Sequence, residues 1–395
     1  MTRFARSTRR VFAHEHTWIG IYLLVAVIAT IVCVIRRCNN FIIFRAAFTH
    51  LRMGSDLYAA YPAEHIDFFK YSPTFALLFA PIAMLPFGIA LFAWNLLNIL
   101  LIYYALRLVL PPAQRLEAVK LTGIGLVTTI DGTQSNGLVA ALIVLAFAAL
   151  ERDRLAAAAS VIATSALVKV FPLAAVAFAL PRRDRWRFAA IGVSIGVVLI
   201  ALPIVVTSPA TLVEQYRSWY ALGAVDAMDR GASVMRILHL TVGYDGPNWP
   251  IQLAGTGLLL LPLVLRPGRW ADASFRRAFL ASLLVYAVIF NHKAEQPSFV
   301  IAIVGVAIWY AIMPRSVARE IVTGAVFVST VPVFMTVLAP GLVADRVDSP
   351  LLVAAGACTL AWLLMQSELL EVAAERVGAT DEAEYAARIR DEPAV

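Results

Sequence analysis

Apolar runs of membrane-crossing length recur from residue 18 almost to residue 366, and they decide what this chain can fold into. A helix needs about 20 apolar residues to cross the hydrocarbon core, and inside lipid every backbone polar group must be satisfied by its own helix or by a closed barrel. The expected fold class is therefore an all-α polytopic membrane protein of roughly ten to twelve transmembrane or re-entrant helices. Composition agrees: 61% of the 395 residues are hydrophobic and only 15% are charged, where soluble domains carry about a quarter charged. The net charge of +7 does not point to nucleic acid, because the basic residues sit in short stretches between apolar runs, as loops on the cytoplasmic side do. Cys33, Cys38 and Cys358 lack metal spacing, so neither a disulfide framework nor a zinc site is implied.

The basic clusters give sidedness. Arg3, Arg6, Arg9 and Arg10 precede the first run, 18–35, and place the N-terminus in the cytoplasm. No small-residue cleavage site follows Ile35, so that run reads as an uncleaved first span. Residues 36–72 then form a polar outer loop whose first half, 41–51, suits an interfacial helix capped by Asn39 or Asn40. Between Ser72 and Arg152 the apolar segments 73–85, 87–110, 119–130 and 137–150 do not close with that sidedness, so one of them is re-entrant, interfacial or no span. Segment 156–180 has basic clusters at both ends, Arg152/Arg154 and Arg182/Arg183/Arg185/Arg187, and reads as two half-helices broken near Lys169 to Pro172. A second long outer loop covers 207–250, and further runs lead to an acidic cytoplasmic tail over 367–395, with Gly378 and Thr380 as a helix stop and start. The bundle itself is expected to span 1–366, with both termini cytoplasmic.

Ionisable groups beside membrane segments are costly and mark function. The first outer loop concentrates Asp56, Glu64 and Asp67 with Arg45, His65 and Lys70, and adds Tyr58, Tyr61 and Tyr71. Carboxylates can take a proton, cations can hold a leaving phosphate and aromatic faces can stack on pyranose rings, which together suit transfer of a sugar. A wet loop with aromatic belt residues is the plainer reading. In Asp131-Gly-Thr-Gln-Ser-Asn136, Gln134 and Asn136 either bind hydroxyls or simply belong to a helix cap. Lys169 in Ala166-Leu-Val-Lys-Val-Phe-Pro172 marks a broken helix facing a ligand, or else a side chain reaching the cytoplasmic interface. His292, Lys293 and Glu295 in Asn291-His-Lys-Ala-Glu-Gln296 can bind phosphate and orient a headgroup. Arg230 to His239 carries a weaker signal for acceptor contacts.

These pieces, taken in order, resemble family 87 of the glycosyltransferases, membrane enzymes of the C superfamily. The matching segments are Asn40-Phe-Ile-Ile-Phe44, Gly54-Ser-Asp-Leu-Tyr58, Lys70-Tyr-Ser-Pro-Thr-Phe75, Leu85-Pro86, Trp94-Asn95, Gln134-Ser-Asn136, Lys169-Val-Phe-Pro172 and Asn291-His-Lys-Ala-Glu295. The resemblance implies inverting transfer of mannose or a similar hexose, without metal or other cofactor. The donor would be a polyprenyl-phosphate-linked sugar in the bilayer of the bacterial cytoplasmic (inner) membrane, and the acceptor an extracytoplasmic glycan or glycolipid. It also implies an aspartate base at the start of the first outer loop, where this chain has Asn40, an amide that cannot accept the proton. Either Asp67 or Asp56 substitutes, with Asn40 holding the acceptor hydroxyl, or the acceptor needs no strong base, or the chain is an inactive relative. Arg45, Glu64, Lys70, Tyr71, Gln134, Asn136, Lys169, His292, Lys293 and Glu295 are the expected contacts to donor phosphate and substrate. The alternative from another class is a lipid or solute transporter, which should show internal repeats and polar groups spread through its spans.

Overall fold

The computed structural model describes residues 14–36, 38–131, 133–331 and 349–371. The arginines before residue 14, the side chain of Asp131, the end of the run that begins near residue 321, and Gly378 and Thr380 of the acidic tail lie outside the described residues. Every regular element that is described is helical. Helices Glu15–Ile35, Phe87–Val109, Arg185–Val205 and Pro350–Leu370 are long and apolar enough to cross a membrane, and shorter apolar helices stand among them. The chain is thus an all-α, multi-pass membrane protein.

Helix α1 (Glu15–Arg36) leads into α2 (Asn39–Met53). Contrary to the expectation from cysteine spacing, Cys33 and Cys38 are joined by a disulfide across this elbow, while Cys358 is free and buried. Nor do Asn39 and Asn40 cap α2: Cys38 occupies the cap position, and the Asn39 amide oxygen instead accepts from the Ile66 amide at 2.9 Å. Gly54, in the left-handed region at φ 72°, ends α2 as glycine readily does.

Segment 73–85 is too short to be a span. It forms α3 (Pro73–Leu78) and α4 (Ala80–Ala83), whose combined rise of about 15 Å is half the hydrocarbon thickness. Ser72 starts α3 by accepting from the Phe75 amide at 3.1 Å, with Pro73 preset for the first helical position. Three helices follow before Arg152, namely α5 (Phe87–Val109), α6 (Pro112–Asp131) and α7 (Asn136–Glu151).

The break near Lys169 is present. Helix α8 (Leu155–Val168) stops where Lys169 turns extended (φ −144°, ψ 140°), and Phe171–Ala179 returns as a 3₁₀ stretch carrying Pro172. Proline and the restriction it places on the preceding residue forbid a continuous α-helix there. The feet of this hairpin are tied together: Arg182 donates to Leu150 O at 3.0 Å and pairs with Asp153 at 2.6 Å and Asp184 at 2.9 Å. Beside them Arg276 binds Glu151 through both carboxylate oxygens, at 2.6 and 2.9 Å. Lys169 therefore lies at the end of the bundle away from these arginines, not beside them.

The rest of the chain runs through α9 (Arg185–Ala201), α10 (Pro209–Asp226), α11 (Val234–Val242), α12 (Trp249–Leu265), α13 (Ala273–Ile289), α14 (Phe299–Ile312), α15 (Val317–Thr330) and α16 (Ser349–Leu370). The long loop over 207–250 is thus itself largely helical. Helix α14, apolar on every side, is the buried axis of the bundle. It meets α13 closely enough that a Cβ on Gly305 would stand 2.6 Å from Ala281 O, the small-residue contact typical of helices packed in lipid.

Candidate functional site

Four segments distant in sequence converge on the end of the bundle that carries Tyr71. The first is Tyr71 itself, whose buried ring stacks on Phe75 with centroids 4.7 Å apart and meets the edge of Phe44 at 5.0 Å. Such pairs hold a ring in one orientation. Next to it the Ser72 hydroxyl donates to Leu167 O at 2.6 Å, satisfying one of the carbonyls freed where α8 ends.

The second segment is the α6–α7 turn. Trp94 on α5 donates to Thr133 O at 2.9 Å, and the Asn98 amide oxygen accepts from the Leu138 amide at 2.7 Å. Thr133 sits at φ 50°, a conformation that non-glycine residues seldom hold outside functional turns. So fixed, the turn delivers Gln134 and Ser135 to Tyr71: the Tyr71 hydroxyl donates to Gln134 Oε1 at 3.3 Å and accepts from Ser135 Oγ at 3.1 Å.

Lys169 is the third. Its Nζ donates to Asn136 Oδ1 at 2.7 Å and stands 5.8 Å from the centroid of the Tyr71 ring. No carboxylate pairs with it among the described residues, and Glu295 is the acid whose charge reaches both Lys169 and Tyr71. An ammonium held by an amide and a ring face, with no carboxylate paired to it among the described residues, is suited to an anionic ligand.

The turn 291–295 is the fourth. Its two cations have different fates. Lys293 is neutralised by Asp226 at 2.9 Å and by Asp229, so the expectation that it binds phosphate meets a cation already engaged. His292 is half-buried, and its Nδ1 lies 3.3 Å from the amide nitrogen of Gln252. Burial, followed by the nearby Lys293 charge, holds its pKa below the ordinary histidine value. Glu295 is exposed and starts the next helical turn in a capping box with Ser298. Segment 226–233 seats on this turn. Ala232 donates to Ala294 O at 2.7 Å, and a Cβ on Gly231, at φ 37°, would stand 2.6 Å from the same oxygen.

The remaining expected residues lie apart from this cluster. Arg45 faces a cavity of about 690 Å³ on the other side of α2 from Phe44, shared with Val34, Ile42, His50, Glu64 and Phe87. There Glu64 pairs with His50 at 3.2 Å, and Arg45 lies over the Phe87 ring at 5.6 Å. Both oxygens of Asp56 are occupied, one by the Tyr58 amide at 3.0 Å and one by Ser218 at 3.4 Å. Asp67 accepts from the Phe68 amide at 2.7 Å and loosely pairs with Lys70 at 3.4 Å, and both are open to solvent. Asn40 is half-buried on the first turn of α2. The Arg230–His239 pair joins Asp245 in its own cluster on the long loop. Sequence reasoning missed Gln252, Asp226, Asp229 and Gly231. An amide near a span's start and acids in a balanced loop carry no signal until the fold brings them to the 291–295 turn.

Comparison with known proteins completes the description. No curated protein matches the chain. Among solved structures, ArnT from Cupriavidus metallidurans bound to undecaprenyl phosphate shares 13% identity, with a TM-score of 0.44 over 90% of this chain and 77% of that one. The apo state of the same protein gives 13% identity and a TM-score of 0.38 over 89% and 75%. The profile of Glycosyltransferase family 87 matches residues 68–292, from the end of the first loop through the α6–α7 turn and the Lys169 break to His292. More than half of the sequence lies within that match, and the chain belongs to glycosyltransferase family 87.

Proposed function

We propose that this membrane glycosyltransferase moves a hexose, mannose before others, from a polyprenyl-phosphate donor to a glycan or glycolipid acceptor. The reaction is read as inverting and metal-independent, on the extracytoplasmic face of a bacterial cytoplasmic membrane. The observation that carries this reading is Lys169, a cation held between Asn136 and the Tyr71 ring and paired with no carboxylate among the described residues. In the transfer the bond from the sugar's anomeric carbon to the phosphate oxygen breaks as the acceptor oxygen attacks. Charge then grows on the leaving phosphate, where a fixed ammonium stabilises it most. His292 supports the same phosphate, while Tyr71 holds Lys169 in place and Gln134 offers an amide to the sugar. The Arg45 cavity, apolar along Val34, Ile42 and Phe87, suits isoprene units of the carrier lipid.

The acceptor proton needs a carboxylate, since Asn40 cannot take it. Glu295 is favoured because it stands on the same turn as His292, whereas Asp56 gives one oxygen to the Tyr58 amide on its own loop and the other to Ser218 on α10. Asp67, with Lys70 as a loose partner, is next. The test is transfer from radiolabelled polyprenyl-phosphate-mannose to membrane acceptors by purified protein in lipid. Transfer by the wild type that Lys169→Met abolishes, in protein that remains folded, supports the reading. No transfer from this donor or its glucose and arabinose counterparts by folded wild type overturns it, in favour of transport or an inactive relative.

A further inference from the structure

We infer that Gln252 is a positioning residue that fixes His292 as the neutral tautomer protonated on Nε2, so that the turn offers a hydrogen-bond donor to a ligand oxygen. The inference rests on the reading of the 291–295 turn as part of the site. Gln252, in the first turn of α12, places its Nε2 3.1 Å from Phe290 O and 3.3 Å from His292 Nδ1. A carbonyl only accepts, so the group facing Phe290 O is the amide NH₂, and the orientation of the amide follows from chemistry. Its second hydrogen then points at His292 Nδ1. A ring nitrogen that receives a hydrogen bond must keep its lone pair, so Nδ1 is unprotonated and the proton of the neutral ring is on Nε2.

The surrounding contacts leave this arrangement little freedom. One turn along α12, a Cβ on Gly255 would stand 2.3 Å from the Phe290 ring, so α12 and the end of α13 are in direct contact at the level of Gln252. From the other side, a Cβ on Gly231 would be 2.7 Å from His292 O, so the histidine backbone is clamped by segment 226–233. The charged groups facing the ring are Lys293 and, across from it, Asp226 and Asp229; α12 contributes only the neutral Gln252. Because the two aspartates neutralise Lys293, the Gln252 contact decides which nitrogen keeps the proton. A donating Nε2–H suits a phosphate or alkoxide oxygen, and a bare Nε2 would repel one.

The experiment is nitrogen NMR of ¹⁵N-histidine-labelled full-length protein in lipid, with His292 assigned by its loss in His292→Asn. Expected for wild type at neutral pH is a bare Nδ1 and a protonated Nε2. In Gln252→Met, a near-isosteric side chain without the donor, the tautomers should mix, and the KM for the polyprenyl-phosphate donor should rise about tenfold. In Gln252→Glu the carboxylate should draw the proton onto Nδ1 and move the acid limb of the pH–rate profile upward by about one unit. A protonated Nδ1 in wild type, or a tautomer unmoved in Gln252→Met, overturns the inference and leaves the sugar-transfer reading standing. A correct tautomer with donor KM unchanged in His292→Asn overturns the ligand role, and a wild type without transfer overturns the functional reading instead.

Discussion

The Nζ of Lys169 donates to Asn136 Oδ1 at 2.7 Å, joining the tip of a re-entrant hairpin to the first residue of α7. The pair fixes where a positive charge stands at one end of the bundle, and the neighbouring Tyr71–Gln134–Ser135 bonds fix what stands beside it.

Substituting Lys169 by Met should therefore reduce transfer by about 100-fold, since bonds from a charged donor are worth about 1.5–3 kcal/mol and more where charge develops. Lys169→Arg should recover little, because a planar fork does not fit a contact made by a point charge. Initial rates in lipid, with thermal unfolding as the control for folding, measure both.

Among the carboxylates, Glu295→Gln should cost at least about 100-fold in kcat by loss of the base. Asp67→Asn should cost less than about tenfold if its work is the Phe68 amide and Lys70. A reversed order would return the base to the first loop.

Activity should persist as pH falls through the ordinary histidine range. Burial disfavours the imidazolium of His292, so its folded pKa lies below about 6.5 and the neutral donor survives there. The same sign governs stability. The unfolded chain binds this proton first, so the contribution from neutral His292 is complete above the unfolded pKa and is lost as pH falls from there toward the folded value. A pH–rate profile whose acid limb lies above the usual histidine value would contradict this assignment.

Gly231→Ala should destabilise the protein by about 2 kcal/mol or more, from its left-handed backbone and the collision with Ala294 O. Gly223→Ala, where nothing stands within 4 Å, should be neutral or mildly stabilising in its helix. Thermal midpoints in one detergent distinguish the two.

Alkylation of denatured, unreduced protein should label one cysteine, Cys358, and label all three after reduction. A disulfide at this elbow persists only in an oxidising compartment. Three labels before reduction would remove the bond.

The order of apolar runs, the break at Lys169 and the dense polar turns were legible in the sequence because each follows from local chemistry: hydropathy, a proline, a capping pattern. Which of the segments between Ser72 and Arg152 fails to cross stayed open because apolar composition reports that a stretch is greasy, not that it crosses; Pro73 and the Ser72 cap start a helix that ends within two turns. The cysteine pair was missed because no spacing rule covers a bond across a helix elbow. The occupation of Lys293 by Asp226 and Asp229 was invisible for a different reason: it depends on a loop folding back over a turn, which local periodicity does not encode. The family profile starts at residue 68, so the departure at Asn40 falls where sequence likeness is already silent.

The hairpin that carries Lys169 has one further consequence. Its 14-residue rising limb is a strut of about 21 Å footed on Arg182, Asp153 and Asp184. The height at which the ammonium stands is thus gauged from the opposite face of the bundle, and charges that never meet the sugar set the depth at which it would be met.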